Sequence, residues 1–464
     1  MTIIHENRIL CRSLTHRDIE DARHRTEEVV AMTRYVLGIF ALMMAIAAPA
    51  QQNRIDIIRH DAPELAYFGD YDIGVRTLEL TDPNRPDILN TVEGGETVLY
   101  DRRLTVEVWY PAQLADHQQA GGVYTTATRN TIVTATLHGK AVRGASPMRQ
   151  LGPVPLVIIS HGYPGNRYLM SHLAENLASK GYIVVAIDHR DSTYRDQQAA
   201  ASAMYNSPLD QLFVLDQLAS MSRDAADFLR GMVDADRSGI IGYSFGGMAL
   251  VNNIGGGYSE TAVASDVAPV NRLAYRHAAA NSKYRENRDR RIKAAVAIAP
   301  WGMASGVWEP RDLAGIRVPT LYMAGSEDET SGYEHGVRAI FEHARLSDRY
   351  LLTFEHAGHN AIAPIPLPIE IMQTEEQIGA SHYTDAVWDS VRSANIMNHF
   401  ITAFLDLNLK ADSSRQSYLD LLPNSRDGLY SMDDGQPTET HTYWKGFPRY
   451  SARGLRLERL KPAE

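Results

Sequence analysis

Residues 239–251 read GIIGYSFGGMALV, and this stretch decides the fold. A short apolar run precedes a Gly-x-Ser-x-Gly motif, and a helix-forming run follows it. In a strand–turn–helix of this kind, the serine lies on a sharp turn with its hydroxyl exposed. Side chains two residues before or after the serine would collide with the strand and the helix, so glycine is needed at Gly242 and Gly246. The motif predicts that Ser244 is a nucleophile.

The chain around this motif alternates between strands and helices. Alternating patterns predict half-buried strands at residues 71–80 and 104–110, and helices are predicted at residues 170–180, 224–233 and 385–407. Continuous apolar runs are typical of central strands covered on both faces, and they occur at residues 154–160, 182–188, 238–242, 292–299, 318–324 and 350–354. This order predicts an α/β fold with a mostly parallel central sheet and helices on both faces.

Long connections interrupt this pattern within a body that we expect to span residues 51–410. They predict cap-like insertions at about residues 112–150, 190–222, 255–290 and 360–384. Residues 255–290 are mostly polar or small, which favours a solvated surface loop; a cap over the site is the alternative. Residues 411–464 form a polar tail. We expect its aromatic residues to pack on the body, with carbohydrate binding as the alternative, and they are Tyr443, Trp444 and Phe447.

Composition excludes several kinds of chemistry. The chain has 464 residues and a formal net charge of −10, with no long basic run, so we expect no nucleic-acid partner. Its single cysteine, Cys11, permits no internal disulfide pair. The sequence has no HExxH motif, no phosphate-binding loop and no dinucleotide fingerprint, so neither a metal nor a cofactor is expected. His189 and Asp191 follow a predicted strand, where we expect them to shape a loop rather than bind a metal.

The N-terminal segment resembles an export signal. Arg34 precedes residues 35–48, YVLGIFALMMAIAA, and a small-x-small site follows at Ala48-Pro49-Ala50. This pattern is typical of a secretory signal peptide at residues 32–50, with a buried core helix as the alternative. Because Met32 directly precedes this segment, we expect translation to begin there, and residues 1–50 form the extension and signal. A periplasmic or secreted enzyme without a stable membrane anchor is therefore expected.

A second motif, residues 160–165 (SHGYPG), follows a predicted central strand. In folds with this kind of nucleophile turn, the loop at this point supplies one of two backbone N–H groups that stabilise an oxyanion. The Tyr163 N–H is the candidate here, and the Phe245 N–H at the start of the helix is its partner. We expect His161 to hold the loop, with a role as the base as the alternative.

A serine nucleophile needs a base, and the base needs an orienting acid. Chain order in this fold places the acid after a strand downstream of the serine and the histidine last. Asp328 lies in the loop after such a strand, with Glu327 and Glu329 as competitors. His359 follows the last predicted strand, with His356 as its competitor; Gly358 before His359 suits a loop that turns back toward the sheet.

The motifs IIGYSFGG, VIISHGYPGNR, MAGSEDE and FEHAGHN resemble the α/β-hydrolase superfamily over roughly residues 70–408. More narrowly, the chain is similar to bacterial dienelactone-hydrolase-like proteins, to platelet-activating-factor acetylhydrolases and to cutinase-type polyester hydrolases. Dienelactone hydrolases use a cysteine where this chain has Ser244. The acetylhydrolases carry their acid where this chain has Ala299-Pro300-Trp301, so the acid here is expected at Asp328. Trp301 is expected to line a substrate pocket together with Tyr163, with core packing as the alternative for Trp301.

These observations predict a secreted serine hydrolase that cleaves small or polymeric carboxylic esters through an acyl-enzyme. The predicted site consists of Ser244, Asp328 and His359, with Tyr163 and Phe245 as oxyanion donors. The same residues could cleave amides, peptides or lactones. A binding protein that has lost activity on the same fold is the alternative from another class.

Overall fold

The apolar runs of the sequence form the strands of the sheet. The computed structural model describes residues 52–463 and six helical residues before them, Arg17, Glu20, Arg23, His24, Val30 and Met32. Apart from Met32, the predicted signal segment lies outside the described residues. The strands are β1 (Asn53–Arg54), β2 (Asp72–Pro86), β3 (Leu99–Gln113), β4 (Val123–Ala127), β5 (Thr134–His138), β6 (Val142–Arg143), β7 (Ser146–Pro147), β8 (Val154–Ser160), β9 (Ile183–Asp188), β10 (Val233–Tyr243), β11 (Ile292–Ile298), β12 (Thr320–Gly325), β13 (Arg349–Phe354), β14 (Met432–Asp433), β15 (Gln436–Pro437) and β16 (Leu455–Leu460).

The large sheet has the order β16-β13-β12-β11-β10-β8-β9-β3-β2-β6. Its central strands, β8 to β13, pair in parallel, whereas β3 and β16 pair antiparallel at the two sides. Alternate side chains of β8 enter opposite cores: Leu156 and Ile158 pack in one, Val157 and Ile159 in the other. Both faces of the sheet are therefore covered, and the predicted α/β fold with a mostly parallel central sheet is confirmed.

Helices cover both faces of this sheet. The α-helices are α1 (Ser171–Ala178), α2 (Ala200–Arg223), α3 (Phe245–Asn253), α4 (Glu260–Val263), α5 (Ser282–Glu286), α6 (Ala339–His343), α7 (Ile369–Met372) and α8 (Ser390–Leu409). Short 3-10 helices lie at Glu64–Ala66, Arg149–Leu151, Val270–His277, Pro310–Gly315, Ala380–His382, Ser413–Tyr418 and Ser425–Asp427, and a π-helix at Tyr333–Arg338. No helix within the described residues is long and apolar enough to cross a membrane.

The crossover between β9 and β10 corrects two predictions. The helix predicted at residues 224–233 is wrong, because the chain forms turns there before β10 begins. The helix of this crossover is α2. Nearly all of it lies within residues 190–222, which were expected to be an insertion. Helix α2 contains Pro208 and buries polar side chains, including those of Asp210 and Gln211, so its apolar pattern is weak.

The other long connections carry their own structure. Strands β1, β5 and β4 form a small sheet, and Glu370 of α7 accepts hydrogen bonds from Asn53 and Thr136 of that sheet. Residues 255–290 contact helix α2: the Tyr258 hydroxyl donates to the Met204 carbonyl, at 2.9 Å. This segment also lies against the last turn of α3, at the end remote from the Gly-x-Ser-x-Gly turn, where Asn252 donates to the His277 carbonyl.

The C-terminal tail is part of the core. Tyr443, Trp444 and Phe447 are buried, and the Phe400 ring of α8 packs edge-on against Trp444. Strand β16, which the sequence patterns did not predict, then pairs with β13 and closes that edge of the sheet.

Candidate active site

Ser244 lies on the sharp turn between β10 and α3. Its backbone has φ 54° and ψ −115°, a strained conformation for a residue with a side chain. A Cβ on Gly242 would lie 2.3 Å from the Gly246 carbonyl oxygen, and one on Gly246 would lie 2.2 Å from the Ser160 carbonyl oxygen. Both positions therefore exclude any side chain, for the reason expected from the sequence.

Three predicted site residues meet through hydrogen bonds. His359 Nε2 lies 3.1 Å from Ser244 Oγ, and His359 Nδ1 lies 2.8 Å from Asp328 Oδ2. An ionised carboxylate can only accept, so Nδ1 carries the proton and Nε2 accepts from the serine hydroxyl. This is the arrangement that a serine needs to lose its proton during attack.

The loop after β12 fixes Asp328 in one orientation. Its Oδ1 atom accepts hydrogen bonds from the N–H groups of Thr330, at 2.9 Å, and Ser331, at 2.8 Å. The side chain is fully buried, so water does not compete for the carboxylate. Oδ2 is thereby left to face His359.

The His359 ring is also held from the β10 side. The Tyr243 ring lies 5.1 Å from the His359 ring, centroid to centroid, and the Tyr243 hydroxyl donates to Asn360 Oδ1 at 2.7 Å. Burial, with the nearby charge of Asp328, raises the pKa of Tyr243 well above its usual value, so the hydroxyl remains a donor.

The competing residues from the sequence pair with each other instead. His356 Nδ1 lies 2.8 Å from Glu327 Oε1, and both side chains are more than half exposed. Glu329 is also exposed. Within the described residues, neither His356 nor Glu327 forms a hydrogen bond with Ser244, so geometry favours His359 and Asp328.

His161 has both ring nitrogens occupied by backbone groups. Its Nε2 accepts from the His189 N–H at 3.2 Å, and its Nδ1 donates to the Gly162 carbonyl at 2.6 Å. Burial lowers the pKa of His161 to about 3, with a further contribution from His189. A ring that is neutral and fully bonded suits the loop-holding role rather than that of a base.

The loop that carries Tyr163 lies close to Ser244, since a Cβ on Gly162 would be 3.0 Å from the Ser244 Cβ, and Phe245 directly follows Ser244 in the chain. Within residues 52–463, neither the Tyr163 N–H nor the Phe245 N–H donates to a backbone acceptor. The Ser244 carbonyl belongs to the same peptide unit as the Phe245 N–H and accepts from the N–H groups of Trp301, at 3.1 Å, and Met248, at 2.9 Å. Because the peptide is planar, these bonds also fix the direction of the Phe245 N–H.

Three aromatic side chains lie together beside Ser244. The Phe245 ring lies 5.3 Å from the Tyr163 ring and stacks on the Trp301 ring at 4.6 Å with an interplanar angle of 17°. All three are partly exposed, so Trp301 packs on the body and still offers surface next to Ser244.

Sequence reasoning missed one polar group beside the site. His189, expected to shape a loop, is buried between Ser160 and Asp210. The available signal was a histidine directly after a buried strand, followed by an acidic residue in the next helix.

Within the described residues, no three His, Cys, Asp or Glu side chains group closely enough to hold a metal ion.

Two family models match parts of the chain. Residues 101–213 match the model of the family described as platelet-activating factor acetylhydrolase, isoform II, and residues 168–366 match that of the prolyl oligopeptidase family. The second match includes Ser244, Asp328 and His359. Each match covers less than half of the chain.

Individual relatives include cutinases and platelet-activating factor acetylhydrolases. The chain is 24% identical over 274 residues to Cutinase 2 of Thermobifida cellulosilytica, covering 59% of this chain and 75% of the relative. The same length matches 61% of Cutinase cut1 of Thermobifida fusca, so the chain spans less than two thirds of that relative. Platelet-activating factor acetylhydrolase of Canis lupus familiaris is 30% identical over 116 residues, covering 20% of this chain and 26% of the relative.

A solved structure shares the fold. A ferulic acid esterase from Streptomyces cinnamoneus superposes with a TM-score of 0.51 at 22% identity, covering 78% of this chain and 94% of that one. These relatives and the fold support an α/β-hydrolase of the serine esterase class. The chain is similar to cutinases and platelet-activating factor acetylhydrolases, and this similarity indicates a carboxylic ester hydrolase.

Proposed function

We propose that this protein hydrolyses carboxylic esters through an acyl-enzyme formed on Ser244. The observation that carries the proposal is the continuous hydrogen-bonded chain from Ser244 Oγ through His359 to Asp328, with separations of 3.1 Å and 2.8 Å. Asp328 is buried and held by two backbone N–H groups, so this chain is set before substrate arrives.

The reaction proceeds in two halves. As Ser244 Oγ attacks the ester carbonyl, His359 Nε2 takes its proton, and Asp328 stabilises the resulting imidazolium. The N–H groups of Tyr163 and Phe245 stabilise the oxyanion, and His359 then returns the proton to the leaving alcohol. Water, activated by the same histidine, attacks the acyl group and releases the acid and the free serine.

The aromatic surface beside Ser244 bears on the acyl group. Tyr163, Phe245 and Trp301 present partly exposed rings, which favour contact with an apolar or aromatic ester group. Relatives named as cutinases and a structural neighbour named as a ferulic acid esterase are consistent with polymeric or aromatic esters as substrates.

Cleavage of amides or peptides is a second candidate. The prolyl oligopeptidase family model matches residues 168–366, which supports it. A panel that pairs esters with amides and lactones of the same acyl group would separate the candidates. We expect the ester kcat/KM to exceed that of the amide.

The nucleophile is tested with Ser244→Ala. We expect the variant to lose at least about 10³-fold in kcat on a short p-nitrophenyl ester and to lose covalent labelling by a fluorophosphonate. Circular dichroism and the melting temperature would establish that the variant is folded. Near-full activity of the variant would overturn the proposal, and an unlabelled wild-type protein would favour a binding function.

We propose further that the enzyme acts in the periplasm or outside the cell. The support is the sequence alone: a basic residue, an apolar run and a small-x-small site at residues 32–50. N-terminal sequencing of exported protein tests this, and a mature chain beginning before about residue 48 would contradict it.

A further inference from the structure

A second hydrogen-bonded serine–histidine–aspartate network lies beneath the predicted oxyanion loop. Ser160 Oγ lies 2.8 Å from His189 Nε2, and His189 Nδ1 lies 3.0 Å from Asp210 Oδ2. The three residues are 0%, 1% and 0% exposed. No substrate reaches groups this deeply buried, so this network has a role other than direct catalysis.

The directions of the hydrogen bonds follow from Gln211. Its Nε2 donates to Ser160 Oγ at 2.9 Å, so the Ser160 hydroxyl proton is free to donate to His189 Nε2. His189 then carries its proton on Nδ1 and donates to Asp210. Every member has a partner, as a rigid buried network requires.

Two arginines keep Asp210 charged. Arg102 contacts it through Nε and a terminal nitrogen, each at 2.9 Å, and Arg85 adds a contact at 3.2 Å. Burial alone would raise the pKa of Asp210, but the charges of Arg102 and Arg85 and the His189 hydrogen bond hold it well below its usual range. The network is therefore anchored at its inner end.

The network reaches one oxyanion donor through a planar peptide. The His189 N–H holds His161 Nε2, and His161 Nδ1 donates to the Gly162 carbonyl. That carbonyl belongs to the same peptide unit as the Tyr163 N–H. Fixing the carbonyl fixes the direction of the N–H, because the peptide is planar.

Gln211 links the loop that carries Tyr163 to the helix that begins with Phe245. Besides Ser160 Oγ, its Nε2 donates to the Gly246 carbonyl at 3.1 Å, in the first turn of the helix that begins with Phe245. Asn253 holds the Gln211 carbonyl oxygen at 2.8 Å, which fixes the amide's orientation. One buried amide thus links the strand end before Tyr163 to the helix turn after Phe245.

We propose that Gln211 and His189 are positioning residues that set the spacing and direction of the Tyr163 and Phe245 N–H groups. This inference rests on the proposed ester hydrolysis. Loosening the link should weaken binding of the oxyanion more than binding of the ground-state substrate, because only the transition state carries the full negative charge.

The test uses Gln211→Met, which keeps side-chain length and removes both N–H donors, and Ser160→Ala as a second, smaller change. We expect kcat per titrated active site to fall about 10- to 100-fold with KM within about twofold. The inhibition constant of phenylboronic acid, whose serine adduct is tetrahedral, should rise by a similar factor. The pH midpoint of kcat/KM should not move, since His359 is untouched.

Ser179→Ala is the matched control. Ser179 is also fully buried, and its Oγ accepts from the Gly69 N–H and donates to the Asn176 carbonyl, away from the site. We expect it to lower the melting temperature without changing kcat or boronate affinity. Unchanged boronate affinity in both network variants, with kcat per active site intact, would overturn the inference. Failure of the proposed function would appear differently, as wild-type protein that neither hydrolyses esters nor binds the boronate.

Discussion

Replacing Asp328 with asparagine should move the ring proton of His359 from Nδ1 to Nε2. Oδ1 of Asp328 accepts two backbone N–H bonds, from Thr330 and Ser331, and only an oxygen can occupy that position. In Asp328→Asn, the amide nitrogen must therefore replace Oδ2, which lies 2.8 Å from His359 Nδ1. A donor there forces Nδ1 to accept, so the ring proton moves to Nε2 and faces Ser244.

The cost can be worked out from this geometry. A histidine with its proton on Nε2 cannot take the serine proton, so activity depends on the rare molecules in the other tautomer. We expect kcat to fall about 10³- to 10⁴-fold, or ~4–5.5 kcal/mol in the activation free energy. KM should change little, because the substituted group does not touch substrate. Steady-state hydrolysis of a p-nitrophenyl ester measures both constants.

The neighbouring carboxylate provides the matched control. Glu327 makes a comparable 2.8 Å contact with His356, but on the exposed surface. We expect Glu327→Gln to keep kcat within about twofold, because exposed pairs of this kind contribute little. Asp328→Asn with more than about a tenth of wild-type kcat, or an equal loss in Glu327→Gln, would refute this reasoning.

Three further substitutions test individual residues of the site and of the core. His359→Ala should lose at least about 10³-fold in kcat on a p-nitrophenyl ester, whereas His356→Ala should stay near wild type; equal losses would contradict the assignment. Gly246→Ala places a Cβ 2.2 Å from the Ser160 carbonyl oxygen, so the turn must shift, and activity should fall at least about 100-fold; wild-type kinetics would refute the packing argument. Burial lowers the pKa of His172 from 6.5 to about 4, and its nitrogens have no hydrogen-bond partner within the described residues. Between these pH values the unfolded chain binds a proton that the native state does not, so stability falls as pH falls through this window. His172→Leu should reduce that slope by up to ~1.4 kcal/mol per pH unit, measured by guanidinium unfolding at about pH 7 and about pH 5.

Periodicity predicted the sheet better than the helices. Strands β8 and β11 lie in the centre of the sheet, so their continuous apolar runs mark them directly. Helix α2 was missed because five of its thirteen buried residues are polar: Ser202, Asn206, Ser207, Asp210 and Gln211. Asp210 and Gln211 form hydrogen bonds with groups on other elements, which periodicity does not show. Strand β16 was missed because its sequence, LRLERL, mixes charged residues that suit an edge with two leucines, Leu455 and Leu457, that face the core.

The site was predictable where chain order and local turns define it. The Gly-x-Ser-x-Gly turn identifies its serine as the candidate nucleophile by steric need, and the candidate acid and base follow by position after named strands. Both histidines follow the same strand, and the sequence favoured His359 because Gly358 precedes it; the contacts of His359 with Ser244 and Asp328 agree with that choice. The sequence placed His189 after a buried strand, but it did not predict the hydrogen bonds of His189 and Gln211, because these join a strand end, a loop and a helix that only the fold brings together.

Strand β16 makes the order of synthesis matter for this protein. Strand β13 leads into the loop that carries His359, and the Glu355 N–H after it donates to the Gly454 carbonyl, just before β16. On the ribosome, that border of the sheet stays unpaired until about a hundred more residues have been added. An unpaired strand can recruit another chain, so nascent or shortened molecules that lack residues 455–460 should aggregate before they acquire activity.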